Sequence, residues 1–419
     1  MRNHRFAVTA IAGFLALAVT SGCSTKGGGA GEAKTGDDGV KTDFGVTKDT
    51  ITLGDLTDNS GPFKVSGISL AHGYQVWMDD VNKAGGICGR QVKVDLQDMG
   101  YSTEKAVSLY AGMKDDILGL VSIVGSPMIA ALKKEMTSDK IIFMPDSWAS
   151  SNLDTPMAMM IGPSYDLEMI NGLAYLQEQG VIADGDKIGH VYVDSEYGQN
   201  GLEGSKNYAE QHKMTIVEGK LTSNDVDMSS IVTKMKSEGV KLLLVTTTPK
   251  QTAAVAAQAL NQGLDVPMLG NNPSFDATLL DTPAAPALLK NFMLMNYAVP
   301  FSDPAMSKVA AAYTAATTDP PNKTAAYGYV AGVIWGEILQ KACDDKDLTR
   351  DGVVKVAKSL SDVDTKGVTA PLDFSLEGAP SSRASFILKP DAAQPGGLST
   401  LAAKYESKEA KAYKTPYQK

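Results

Sequence analysis

From Ile51 onward, short runs rich in Val, Ile and Leu alternate with longer stretches whose apolar positions recur every three or four residues. Residues 51–56 read as a strand. In 66–83, Leu70, Tyr74, Trp77 and Val81 form the buried stripe of an amphipathic helix. Gly85 and Gly86 end it. A strand over 91–96, a helix from Thr103, a strand over 118–124, a helix from Pro127 and a strand over 141–144 continue the series. A second run follows: helices over 166–179, 199–212, 228–238 and 250–262 alternate with strands over 188–193, 214–218, 241–245 and 267–269. This βαβα order predicts an α/β protein with mainly parallel sheets and helices on both faces. Single cores stop growing beyond about 250–300 residues, so two such runs imply two lobes. A further helix over 324–342 is too apolar to stand alone and must pack onto a lobe, which makes at least one lobe discontinuous in sequence.

The first residues follow a different pattern. Arg2 and Arg5 precede an apolar run from Phe6 to Val19, too short for a bilayer span of about 20 residues but suited to an export signal. The small residues before Cys23 resemble a bacterial lipobox, with Thr20 where Leu is usual. Residues 1–22 are therefore expected to be a lipoprotein signal peptide and Cys23 the lipidated residue; cleavage before a plain small residue is the alternative. Residues 23–47, with Gly27, Gly28 and Gly29 and no apolar period, read as a flexible tether. The expected location is extracytoplasmic, anchored to a bacterial cell membrane.

Composition narrows the function. The chain has 419 residues, with 39 Lys and Arg against 48 Asp and Glu. A net charge of −9 lacks the basic excess that a nucleic-acid clamp needs. Cys23, Cys88 and Cys343 contain no CxxC pair, and His4, His72, His190 and His212 are scattered, so no metal or cofactor is expected. There is no GxSxG elbow, phosphate loop, dinucleotide fingerprint or HExxH, and no His beyond a strand end beside a Ser or Cys. No nucleophile and base are nominated, and the chain reads as a non-enzyme.

In open α/β sheets ligands bind beyond the carboxyl ends of the strands. The segments that follow the predicted strands are Gly125-Ser126-Pro127, Asp146-Ser147-Trp148, Asp194-Ser195-Glu196-Tyr197, Thr246-Thr247-Thr248 and Gly270-Asn271-Asn272. Ser126 with Pro127 forms a helix start that either serves as a simple cap or offers free N–H groups to an anion. Trp148 is either a packing anchor or part of a crevice wall. Together these residues have the polar and aromatic character of a small-ligand cleft.

The order of LGDLTDNSGPF, VNKAGGICGRQVKV, DSEYGQNG and GVTAPLDFSLEG along an exported chain resembles the branched-chain amino-acid-type solute-binding proteins of ABC importers, from about Thr47 to about Pro390. The resemblance implies the periplasmic-binding-protein type I fold: two doubly wound, Rossmann-like lobes joined by a three-strand hinge. Lobe 1 would span 48–163 and 297–376, and lobe 2 would span 164–296 and 377–415. It implies ligand contacts from Phe63, Ser66, Gly125, Ser126, Asp146, Ser147, Trp148 and Tyr197. Thr248 stands where amino-acid binders often carry an aromatic, and Asn272 where they often carry an acid for the ligand ammonium. A buried ammonium would then need another acid, Asp146 or Glu196. The expected solute is an amino acid, an amide or a small aliphatic or aromatic carboxylic acid, and the implied partners are a membrane permease and its ATPases, with the protein a monomer. A ligand-sensing receptor subunit is the alternative; an extracellular hydrolase is disfavoured by the missing nucleophile. Cys88 and Cys343 fall in one implied lobe of an exported protein, so either a disulfide or two isolated thiols is open.

Overall fold

The computed structural model describes residues 33–419; the expected signal segment and Cys23 lie outside the described residues. The chain opens with β1 (Lys34–Thr35), β2 (Lys41–Thr42), β3 (Thr50–Thr57), α1 (Lys64–Lys83), β4 (Gln91–Asp98), α2 (Thr103–Met113), β5 (Leu120–Val124), α3 (Ser126–Ser138) and β6 (Phe143–Asp146). It continues through α4 (Tyr165–Glu178), β7 (Lys187–Val193), α5 (Glu196–Gln211), β8 (Thr215–Leu221), α6 (Ser229–Glu238), β9 (Leu242–Thr246), α7 (Pro249–Gln262), β10 (Met268–Gly270), α8 (Ala285–Asn291) and β11 (Phe292–Asn296). The last part holds α9 (Ser307–Ala316), α10 (Thr324–Asp344), β12 (Asp347–Leu348), α11 (Arg350–Ala357), β13 (Ser385–Pro390), β14 (Leu398–Tyr405) and α12 (Lys408–Ala412).

The strands form two main sheets. One has the order β4-β3-β5-β6 and is parallel throughout. The other has the order β14-β13-β11-β10-β9-β7-β8, parallel from β11 to β8 and antiparallel where β13 and β14 join. The chain crosses between them three times: after β6, after β11 and before β13. Ser381 ties the first and third crossings, donating from Oγ to Met160 O (2.6 Å) and accepting from Gly162 N (3.0 Å). Ala298 bridges to Thr369 at the second. Arg383 then holds the chain end, donating to the carbonyls of Ala410 and Tyr413 (both 2.7 Å), while Tyr413 Oη reaches Asp166 (3.1 Å).

The apolar late helix finds its place against α1. Gly73 and Gly328 let the two backbones approach: a Cβ on Gly328 would sit 1.9 Å from Leu70 O, and one on Gly73 would sit 2.2 Å from Ala325 O. Further along α10, Gly332 and Gly336 receive the ring of Trp77, and buried Trp335 donates from Nε1 to Leu120 O (3.3 Å) under β5. Cys88, after α1, and Cys343, near the end of α10, form a disulfide with Cα atoms 6.0 Å apart, which staples these two elements at their far end.

The tether expected over 23–47 is folded from Lys34 onward. β1 pairs with β2, and β2 with β12. Buried Arg350 explains why: its side chain donates to the carbonyls of Lys114, Ile117 and Asp139, its backbone N–H meets the Asp43 carboxylate, and its guanidinium stacks 4.0 Å over Phe44. Arg90 pairs with Asp38 at 2.7 Å. Hydrogen bonds to distant partners thus hold a segment that has no apolar period of its own.

Replacing Gly328 by Val drives side-chain atoms into the α1 backbone. Urea unfolding is expected to show a loss of about 3 kcal/mol or more.

Candidate functional site

Both sheets point the carboxyl ends of their parallel strands at one cavity. The first sheet and its helices contribute Phe63, Ser66, Tyr101, Val124, Gly125, Ser126 and Asp146, with Lys323 and Thr324 from the start of α10. Trp148 comes from the first crossing, and Tyr165, Tyr197, Asn272 and Pro273 from the second sheet's side.

Each is held by local chemistry. Asp58, at the turn after β3, accepts from the N–H groups of Gly61 (2.5 Å) and Phe63 (2.8 Å), which sets the entry to α1 and turns Phe63 toward Tyr101, ring centroids 4.9 Å apart. Ser126 was expected as the cap of its helix. Instead α3 begins at Ser126 and Gly125 holds the cap position at φ 95°, in the left-handed region that favours glycine. A Cβ there would also lie 2.6 Å from the Tyr101 ring. The Ser126 hydroxyl is therefore free to bond Ser147 Oγ at 2.6 Å. Gly125 and Ser126, at the start of α3, line the cavity, so the positive end of the helix dipole lies beside it.

Trp148 is both anchor and wall. It is 1% exposed, donates from Nε1 to Ile161 O (2.6 Å), stacks on Tyr297 at 4.6 Å and meets Tyr327 edge-on at 5.4 Å. Tyr165 bonds through its N–H to Trp148 O (2.8 Å) and leans on Tyr197 at 4.7 Å. Tyr197 Oη donates to Asn271 Oδ1 (2.8 Å) and also lies 3.2 Å from Thr247 O. Asn272 donates both its N–H (3.1 Å) and its Nδ2 (3.0 Å) to the Glu168 carboxyl.

Three ionisable groups here are far from their ordinary behaviour. Burial pushes Glu168 up to about 8 against the opposing pull of the Asn272 hydrogen bonds. It pushes Asp146 up to about 7, with Lys323 pulling the other way. It pushes Lys323 down to about 8, opposed by the more distant charges of Asp276, Asp146 and Glu168. Lys323 is 3% exposed, and its Nζ donates to Phe275 O across the cleft at 2.6 Å. No carboxylate among the described residues pairs with it.

Of the residues singled out in the sequence, Phe63, Ser66, Gly125, Ser126, Asp146, Trp148, Tyr197 and Asn272 line this cavity. Ser147 lies one layer behind, bonded to Ser126 and Asn152. Thr248 stands apart from it, capping α7 in a reciprocal pair with Gln251. Glu196, the other acid considered for an ammonium, lies exposed on the first turn of α5. His190 is a packed core residue between Ser205 Oγ (2.7 Å) and Thr246 Oγ1 (3.1 Å), its proton affinity pushed down to about 3 by burial. Tyr101, Tyr165, Lys323 and Thr324 were not anticipated. A signal existed for Lys323: a cation at a helix N-terminus opposes the helix dipole, so a Lys there asks for a reason.

The chain matches the family described as "Periplasmic binding protein" over residues 50–395. It belongs to that family. A solved structure described as a fatty acid ABC transporter substrate-binding protein from Thermomonospora curvata shares 37% identity, covers 91% of this chain and 99% of its own, and superposes with a TM-score of 0.89. A branched-chain amino acid ABC transporter protein from Thermus thermophilus, solved with bound valine, shares the fold at 16% identity, with a TM-score of 0.76 over 88% of this chain and 99% of its own. A Leu/Ile/Val-binding protein homolog from Brucella suis is 26% identical over 240 residues, covering 53% of this chain and 58% of that protein. The chain thus spans little more than half the length of the curated relatives it matches. The family and fold expected from the sequence are those found: type I periplasmic binding protein, α/β, with two sheets facing one cleft.

Trp148→Ala removes a stacked, hydrogen-bonded side chain from the meeting point of three tyrosines. Urea unfolding is expected to show a loss of about 3–5 kcal/mol.

Proposed function

We propose that this periplasmic-type binding protein captures a small carboxylic acid with an apolar body and presents it to the permease of an ABC importer. The observation that carries the reading is Lys323. A buried ammonium has three N–H donors, and this one has a single backbone carbonyl as its partner inside an aromatic-walled cavity. Leaving such a charge unpaired costs several kcal/mol, and an anionic solute offsets that cost. Ser126, the first residue of α3, lines the same space, and the positive end of the helix dipole there favours a carboxylate. The rings of Phe63, Tyr101, Trp148, Tyr165 and Tyr197 favour an apolar remainder. The relative described as a fatty acid binder at 37% identity supports an acid with a hydrocarbon body.

The capture mechanism follows from the three crossings. With the lobes apart, Lys323 and the α3 start on one side and Tyr197 and Asn272 on the other are open to water. Closure brings the Phe275 carbonyl onto Lys323 Nζ and shuts the solute away from solvent. Binding then needs no covalent step. The reading includes export directed by residues 1–22, a lipid anchor at Cys23, action as a monomer, and permease and ATPase subunits as partners.

Calorimetry with isovalerate, 2-methylbutyrate and phenylacetate against their amides tests the solute class. The acids are expected to bind and the amides not. Lys323→Met is expected to weaken acid binding by about 30- to 1,000-fold, the equivalent of about 2–4 kcal/mol for truncating one partner of a buried charge pair. Equal binding of acids and amides would refute the reading.

A further inference from the structure

Asp146 is the sole carboxyl among the residues that line the cavity, as Lys323 is the sole ammonium. It ends β6 in register with Val124 of β5, beside the start of α3, and its backbone carbonyl accepts from Gly125 N (3.1 Å). Its side chain is half-buried and lines the cavity, and within the protein it is influenced by burial and by the more distant Lys323 charge, with no hydrogen-bond partner among the described residues. Two other buried acids nearby each already accept a hydrogen bond within the protein. Asp55 accepts from Tyr74 Oη (3.1 Å), and Glu168 is held by Asn272. Asp146 is thus a polar group without a protein hydrogen-bond partner that lines the cavity.

Its presence constrains a solute that is an anion. Lys323 can compensate one negative charge. A solute carboxylate together with an ionised Asp146 leaves a second negative charge in a closed, aromatic-walled space, at a cost of several kcal/mol. One proton on Asp146 removes that charge and turns an acceptor-only group into a hydrogen-bond donor. On the reading of the solute as a carboxylic acid, we propose that Asp146 is a specificity-determining residue that admits one negative charge: it takes up a proton from solvent as the solute binds, donates it in a hydrogen bond to the solute carboxylate, and returns it to solvent when the solute leaves. A solute with two carboxylates has no second cation to meet and is turned away.

The groups that face Asp146 agree with this assignment. Lys323 of α10 stabilises its anion, whereas Asp55 of β3 disfavours it; Tyr101 after β4, Tyr165 of α4, Tyr297 after β11 and Tyr327 of α10 are held neutral by burial. Burial, opposed by the Lys323 charge, has already moved Asp146 up to about 7, and a bound carboxylate moves it further in the same direction. Because the bound form holds the proton more tightly than the free form, affinity is full below the free-state value and falls as pH rises through it.

Isovalerate titrations by calorimetry test this, run at pH 7 in buffers of different ionisation enthalpy and repeated from pH 6 to pH 8. The wild-type protein is expected to take up about half a proton at pH 7 and to lose about tenfold in affinity from pH 6 to pH 8 through Asp146, with about twofold more from Lys323. Asp146→Asn, which keeps the shape, is expected to flatten the profile to the Lys323 share. Methylsuccinate is expected to bind at least about 100-fold more weakly than isovalerate. Isovalerate binding without proton uptake and with a flat pH profile overturns the role of Asp146 while leaving the solute class intact. Leucine binding more tightly than isovalerate, and losing that advantage in Asp146→Asn, overturns it in favour of Asp146 as an ammonium partner. Failure of every acid to bind overturns the solute class itself and this inference with it.

Discussion

The close approach of α10 to α1 is the contact on which the site depends. Gly73 and Gly328 bring two helix backbones together that are far apart in sequence, and the disulfide from Cys88 to Cys343 holds the far end of the same pair. At the near end, Thr324 Oγ1 donates to Ser66 O (2.8 Å) and Asn322 N to Ser69 Oγ (3.0 Å). Lys323 lies between these two anchors. Its position in the cleft is therefore a consequence of how two helices meet, with each contact removing freedom from the one before it. If the helices stood farther apart, the ammonium would retreat from the cavity and from the Phe275 carbonyl.

That position has an electrostatic cost which gives the cleft its character. An ammonium, a carboxyl and a second carboxyl behind Asn272 share a small space walled by aromatic rings, and burial drives each toward its neutral form. Such shifts cluster where groups are arranged to meet a ligand. The mutual attraction of Lys323 with Asp146 and Glu168 tempers the cost without cancelling it, because neither acid touches the ammonium. A cleft in this condition is completed by a solute of matching charge. Closure adds to the effect by excluding water and strengthening every remaining electrostatic contact.

The alternation of strands and helices was legible because each element carries its own period, and the parallel sheets follow from that order. The loops after the strands were legible for the same reason: once strands are placed, the site has to lie beyond their carboxyl ends. Six residues so marked, Gly125, Ser126, Asp146, Trp148, Tyr197 and Asn272, line the cavity, as do Phe63 and Ser66, which the family resemblance supplied. Thr248 shows where this reasoning stops. A Thr followed by Pro249 and then Gln251 has the makings of a helix cap, and the local hydrogen bonds claimed it. Ser126 erred in the other direction, since a glycine able to take φ 95° relieved it of the capping role. The segment from Lys34 to Phe44 has no period at all, and Arg350, Arg90, β12 and the burial of Val40 make it part of the fold.

By itself the sequence determined the elements, their order, the parallel sheets and the edge where a ligand must lie, because hydrophobic period and turn chemistry are local properties of the chain. The tertiary structure alone decided that Lys323 joins Asp146 in facing that ligand. Lys323 sits in a polar stretch before an apolar helix, and Asp146 ends strand β6 before a polar loop; neither carries a sign of the other. Their meeting in one cavity depends on where three crossings and a glycine-mediated helix contact place distant segments. Burial, which sets the charge of both groups, is a property of that assembled surrounding and of no segment within it.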